Sequence, residues 1–399
     1  MDFEKKMVSA LLCSLLICVA SAAPSSGQLA ALRGASEEDA EAAQPGCWVK
    51  RATGQQPSSR SSLLCTAATS PVLRALAGKW CCLDEPHGQF QDLAWAPPGS
   101  PLCPARGTTT TLAASLLPST APLSSSSSSS LLARRFLDTL SRTQNRGLVI
   151  VGDSLGMQLF LALCLHLERL EPGTIDMPSL DRLNGVGRAG RAPASLGTDA
   201  APPADAFVSV AYGNATLRFA RMNSFVAGSE ALFDRASRGM AVAVAIFGSH
   251  FGCYEAGDDA AWGRAARRLG QFGVNSAQLG VGIPQLPSHF PTGAANGDYD
   301  SEIVKNLAKA GKKLTACVPA RTTALPCLHA RQAAEARRRR VPVIDAADDM
   351  RQRPDGHVEF GNAPVFADCR HWCLREGVFD PIVWRLERLI HERLVVSEL

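Results

Sequence analysis

The chain has 399 residues, 46% of them hydrophobic and 20% charged, with a formal net charge of +4. That composition belongs to a globular protein with a sizeable core, in one large domain or two ordinary ones, and it excludes a largely disordered chain. The mild charge and an aromatic content of 6% exclude a bulk nucleic-acid binder, which needs basic stripes with aromatic platforms. The run Arg337–Arg340 accordingly reads as the solvated end of a helix.

Lys5 and Lys6 precede an apolar stretch that ends at Ala20-Ser21-Ala22, a small-x-small cleavage pattern. Residues 1–22 therefore read as a secretory signal peptide or, since the apolar run is just long enough to cross a bilayer, as an uncleaved signal anchor. That anchor is the sole membrane contact expected. Residues 23–45 read as a disordered stem and 46–104 as a small Cys- and Trp-rich subdomain. Residues 105–130 read as a Ser-rich linker.

From Leu131 to the end the pattern is regular. Helices are expected at 131–140, 155–170, 258–272, 301–310, 328–340 and 381–394. Strands are expected at 148–151, 207–212, 216–220, 242–247 and 341–344. Strands alternating with helices argue for an α/β domain with a parallel sheet covered on both faces. Residues 171–206 read as a loop insertion. The Gly185-x-Gly187-x-x-Gly190 run within it has neither the strand nor the helix that a dinucleotide fingerprint requires.

Beyond the leader the chain carries eleven cysteines. In an oxidising lumen most of them form disulfides, and the odd number leaves at least one over. Asn214-Ala215-Thr216 is an N-glycosylation sequon, usable in that same compartment. The leader, the cysteines and the sequon agree on the secretory lumen, whether the protein is retained or secreted.

Two segments 217 residues apart carry the chemistry. Val149–Ser154 reads as a buried strand ending in a Gly-Asp-Ser turn before a helix. Asp368-Cys369-Arg370-His371-Trp372-Cys373 places an acid three residues before a histidine. Together they offer a nucleophile (Ser154), a base (His371) and an orienting acid (Asp368), which is what acyl transfer through a serine ester requires. On a turn of helix Asp368 and His371 would share a face. Ser154 would place its own N–H, and those after it, toward a developing oxyanion.

The alternatives are that Ser154 is an N-cap, that His371 is structural and that Asp368 caps a helix. Asp153 is expected to order the turn through backbone hydrogen bonds. Cys369, His371 and Cys373 offer three metal donors, but no second cluster completes a tetrahedral site, so no metal is expected. His250 and His289 are candidate pocket-lining residues.

These segments resemble the plant-type trichome birefringence-like family and its PC-esterase relatives. Val151–Ser154 matches that family's VGDS turn, and Asp368–Leu374 matches its DCxHWCLPG segment. Trp95-Ala96-Pro97 with Cys103 is similar to its W-x-P…C stretch. Arg353-x-Asp355-Gly356-His357 is similar to its R-x-DGH segment, and Pro287-Ser288-His289-Phe290 to its SPxHF element. The likeness covers about residues 46–394.

The resemblance implies an SGNH/GDSL-like three-layer α/β/α sandwich over 131–399. It also implies a Golgi polysaccharide O-acetyltransferase using Ser154, His371 and Asp368. The partners would be a glycan acceptor and an acetyl donor such as acetyl-CoA, a co-substrate rather than a bound cofactor. A carbohydrate acetyl esterase with the same triad and an inert glycan-binding protein are the alternatives. At the block where such folds carry an oxyanion Asn this chain has Ile246, so oxyanion donors are expected from the backbone N–H groups around Ser154, joined by a group such as Gly248 N–H or the Ser249 hydroxyl. Replacing Ile246 by Asn would then raise turnover.

Overall fold

The computed structural model describes residues 46–50, 70, 73, 77–81, 93–98, 100, 103, 127–170, 173–175, 207–222, 225, 228–247, 256–290, 306, 309–310, 317–318, 326, 328–358, 368–374 and 377–396. The leader, the stem, residues 105–126, the insertion apart from 173–175, Gly248–His250 and most of the 301–310 helix lie outside them. Residues Pro45–Leu399 form one compact unit.

Its elements in chain order are β1 (Cys47–Lys50), β2 (Leu93–Ala96), α1 (Ser127–Arg142), β3 (Gly147–Gly152), α2 (Ser154–Glu168), β4 (Thr174–Ile175), β5 (Phe207–Tyr212), β6 (Ala215–Arg221) and α3 (Ser229–Ser237). They continue with β7 (Val242–Ile246), α4 (Ala256–Phe272), β8 (Leu279–Ile283), α5 (His329–Arg338), α6 (Ala347–Met350), β9 (His357–Val358), β10 (Asp368–Trp372) and α7 (Asp380–Ile390). None of the helices among the described residues is long and apolar enough to cross a membrane.

A six-stranded sheet in the order β4-β5-β6-β3-β7-β8 forms the centre. β6, β3, β7 and β8 run parallel, whereas β5 and β4 add an antiparallel edge. The sheet is thus mixed, not wholly parallel as its alternating pattern suggests. The tight Tyr212-Gly213-Asn214-Ala215 hairpin reverses the chain between β5 and β6. Asn214 is exposed on that turn.

β3 is central because its residues are apolar on both faces. Leu148 and Ile150 enter one core with α1, α2 and α7. Val149 and Val151 enter a second core with α3, α4 and α5. A strand with an apolar side chain at every position is stable only where helices cover both faces. β3 pairs with β6 on one side and β7 on the other, and the chain builds the β4–β6 side first and then crosses to β7 and β8. The crevice of such a sheet opens beyond the carboxyl end of that strand, at Gly152.

Four departures from the sequence-level expectations have physical causes. β8 is obscured by Gly280 and Gly282, which dilute its β signal. A Cβ on Gly280 would sit 2.2 Å from the Leu269 carbonyl oxygen of α4, so glycine is what lets helix and strand meet. The expected strand at 341–344 reduces to a single parallel bridge between Val343 and Gly282. Helix α3 carries few apolar residues and was not apparent from periodicity. Finally, Ser127–Ser130 belong to α1 rather than to a linker, because the buried Ser129 hydroxyl donates to Asp380 Oδ2 of α7 at 2.7 Å.

The β1–β2 ribbon is anchored through Asp349 of α6. The Trp48 indole N–H donates to its carbonyl and the Trp95 indole N–H to its carboxylate, each at 2.9 Å. Arg385 of α7 donates to the other carboxylate oxygen at 2.7 Å. A buried carboxylate with a donor on each of its two oxygens is satisfied. Replacing Gly280 by Ala should lower stability by about 1–3 kcal/mol through overpacking, read as a thermal midpoint several degrees lower. An unchanged midpoint would mean that α4 tolerates displacement at this contact.

Candidate active site

The Gly-Asp-Ser turn follows β3 without a spare residue. Gly152 is required there, since a Cβ would lie 2.2 Å from the Ile246 carbonyl oxygen on β7. Asp153 is the N-cap of α2: its carboxylate accepts from Leu155 N–H at 2.9 Å and its carbonyl from Met157 N–H at 3.1 Å. The cap role is therefore filled by Asp153, which leaves the Ser154 hydroxyl for another partner. It also commits Leu155 N–H, so that group is not among the oxyanion donors.

Ser154 begins α2 and is 7% exposed. Its Oγ lies 2.6 Å from His371 Nε2, and His371 Nδ1 lies 2.7 Å from Asp368 Oδ2. The His371 backbone N–H also donates to Asp368 Oδ1 at 3.3 Å. With Nδ1 protonated toward the carboxylate, Nε2 is left as the acceptor for the serine proton. This is the hydrogen-bonded order that a serine nucleophile needs. The structure thus brings all three sequence-identified residues together. Asp368–Trp372 is strand β10, however, not a turn of helix. An irregular register against β9 lets acid and base meet.

Residues beyond these three hold the arrangement, and one of them, Gln158, the sequence did not single out. Gln158, one turn into α2, donates from its side-chain amide to the Trp372 carbonyl at 2.5 Å and accepts from Trp372 N–H at 3.1 Å. That two-way clamp ties the helix bearing Ser154 to the strand bearing His371. Cys369 is joined to Cys317 by a disulfide, which pins β10 two residues from the base. By loop entropy, closing a loop of this length is worth about 4 kcal/mol.

Cys373 and Cys81 are also disulfide-bonded. The sulfurs of Cys369 and Cys373 are therefore spent on disulfides rather than metal. Cys47, Cys103 and Cys164 are thiols. Burial and the adjacent Cys103 thiol push Cys47 up to about 12.

His289 does not line the pocket. It is fully buried, with Nδ1 2.6 Å from His357 Nε2 and Nε2 2.9 Å from the Arg351 carbonyl. His357 Nδ1 in turn faces the His371 carbonyl at 2.9 Å, and its ring packs 3.9 Å from that of Trp372. The two imidazoles therefore form a floor beneath His371. Trp80 forms a wall on another side, its ring stacked 5.9 Å from that of His371. Arg221 ends β6 opposite Gly152; burial lowers its pKa while the charge of Asp153 raises it.

Gly248, Ser249 and His250 lie outside the described residues. Ile246 is fully buried in the core, its Cγ2 3.0 Å from where a Gly156 Cβ would stand. An amide at that position would be buried against α2, where an unmet polar group costs stability, so the expected gain from Asn holds only if the core accommodates it. No family model matches the chain, and no curated protein is significantly similar to it.

Exchanging Gln158 for Leu should leave both Trp372 backbone groups buried and unmet, at about 1–3 kcal/mol each. Turnover should fall with Ser154 and His371 intact, and Gln158→Glu, which keeps the acceptor, should lose less stability. Equal stability of wild type and Gln158→Leu in urea would show that the clamp bears no load.

Burial and the adjacent His289 hold His357 well below its ordinary range, whereas an unfolded histidine titrates near about 6.5. As pH falls below that value the unfolded chain takes up a proton that folded His357 refuses, so stability drops on acidification. His289, His371 and Asp368 face the same ring and shape the curve. Denaturation midpoints from pH 7.5 to 5 should fall less steeply in His357→Gln; identical slopes would remove His357 as a cause.

Proposed function

We propose that this chain is a serine O-acyltransferase of the secretory pathway, moving an acetyl group onto a glycan hydroxyl. The observation that carries the reading is the Ser154–His371–Asp368 relay, with contacts of 2.6 and 2.7 Å, at the carboxyl end of the central strand. The motif likeness to trichome birefringence-like and PC-esterase proteins, with their SGNH-type fold, supports glycan as the acceptor.

In this reading His371 Nε2 takes the Ser154 proton as Oγ attacks the acetyl donor, and Asp368 stabilises the imidazolium. The positive end of α2 favours the oxyanion. The leaving group departs with the proton from His371, giving an acetyl-Ser154 ester. A sugar hydroxyl then attacks the ester carbonyl while His371 accepts its proton. Breakdown of this second tetrahedral adduct returns the proton to Ser154 Oγ.

One observation favours a second reading, hydrolysis by the same triad: the side chains of His371 and Asp368 are each 17% exposed, so water reaches the base. Incubating the protein with an acetyl donor and candidate glycans separates the two by the ratio of acetylated glycan to free acetate. The acyl adduct should appear on Ser154 by mass spectrometry. Ser154→Ala and His371→Ala should each lower turnover by about three orders of magnitude or more, with little further loss in the double variant. Near-normal turnover in His371→Ala would refute the assignment, and no turnover by wild type on any acetyl ester would favour an inert glycan-binding protein.

A further inference from the structure

The triad makes no use of the opposite helical layer, where α4 and α5 lie side by side. α4 leaves the carboxyl end of β7 and returns to the start of β8. α5 is followed by Val343, which bridges Gly282 of β8 in parallel. Both helices therefore begin near the sheet edge that carries Ser154 and run away from it. The Trp262 indole N–H donates to the Gln332 carbonyl at 2.7 Å and joins them.

Their facing turns share one pattern. Ala260, Gly263, Arg264 and Arg267 recur at helical spacing on α4, and Arg331, Ala334, Glu335 and Arg338 do so on α5. With Trp262 and Arg339 they line an open groove of about 740 Å³. Small residues keep its floor low and arginines form its sides, five of them against one glutamate. The groove lining therefore carries an excess of four positive charges. Glu335 spends its carboxylate on Arg338 and Arg339, at 2.6 and 3.0 Å. Arg267 and Arg331 are exposed.

Arg331 and Arg338 are two turns apart, about 10 Å along the helix. Apart from Arg338 and Arg339, which meet on Glu335, the arginines are thus spaced along the groove, which fits a linear polyanion better than a single small anion. Guanidinium forks match carboxylates in bidentate geometry. Trp262, the sole aromatic lining residue, is 2% exposed, so nucleic-acid bases find no stacking platform. We propose that the α4–α5 groove docks an acidic, carboxylate-bearing polysaccharide strand. The choice of a glycan rests on the proposed function; the anionic character rests on the groove alone.

Binding of the full-length protein to polygalacturonate, followed by affinity electrophoresis, tests this without any catalytic step. Wild type and Ser154→Ala should be retarded alike at low salt and released at high salt, and dextran should retard neither. Arg267→Glu combined with Arg331→Glu should weaken binding at least about tenfold, since surface charge contacts of this kind are additive and salt-dependent. Arg267→Ser with Arg331→Ser should weaken it less, and serves if charge reversal disturbs folding. Retention of the double variants equal to wild type, equal retardation by dextran, or tighter binding to duplex DNA than to polygalacturonate would each overturn the groove assignment. Loss of acyl transfer with polygalacturonate binding intact would count against the proposed function and leave the groove standing.

Discussion

The amide clamp between Gln158 and the backbone of Trp372 is the interaction on which the candidate site depends. Ser154 and His371 come from segments 217 residues apart, and an Oγ–Nε2 contact of 2.6 Å survives only if their elements cannot slide. Gln158 satisfies the N–H and the carbonyl of one residue at once, which fixes both the position and the rotation of β10. The amide is fully buried, where an unmet polar group costs more than in water. Slippage by a single residue would break two hydrogen bonds and aim His371 the other way.

Around that clamp the supports differ both in direction and in kind. The Cys317–Cys369 disulfide holds β10 covalently. The His289–His357 pair holds the His371 carbonyl from below, and Trp80 packs beside the ring. Each constrains a different degree of freedom of one imidazole. A catalytic base benefits from such overdetermination, because misplacement by about 1 Å is costly to rate.

Close backbone approach is the second constraint. Gly152 and Gly280 stand where a methyl group would meet a carbonyl oxygen at 2.2 Å. Gly152 lets β3 reach β7 at the point where the Gly-Asp-Ser turn begins, and Gly280 lets α4 settle on β8. The first of these sets the height at which Ser154 emerges, so a packing requirement of the sheet becomes a positional requirement of the nucleophile.

The unbroken apolar run Leu148–Val151 marked the central strand, and the paired Gly-Asp-Ser and Asp-x-x-His signals marked the three site residues. Each is local: an apolar residue at every position needs cover on both faces, and a nucleophile, a base and an acid announce themselves by type. The antiparallel edge was not legible, because parallel and antiparallel strands share one side-chain period and only pairing distinguishes them. Strand β8 was hidden by glycines whose purpose, contact with α4, is tertiary. Gln158 and Trp80 were silent as well, and His357 gave no sign of its partners, since an amide in a helix or a histidine in a short strand has no local pattern that names its distant partner. Sequence by itself determined which groups could do the chemistry; tertiary structure decided that Asp153 rather than Ser154 caps the helix, that His289 lies beneath the site, and that the base is held in reach, because those outcomes depend on contacts between residues far apart in the chain.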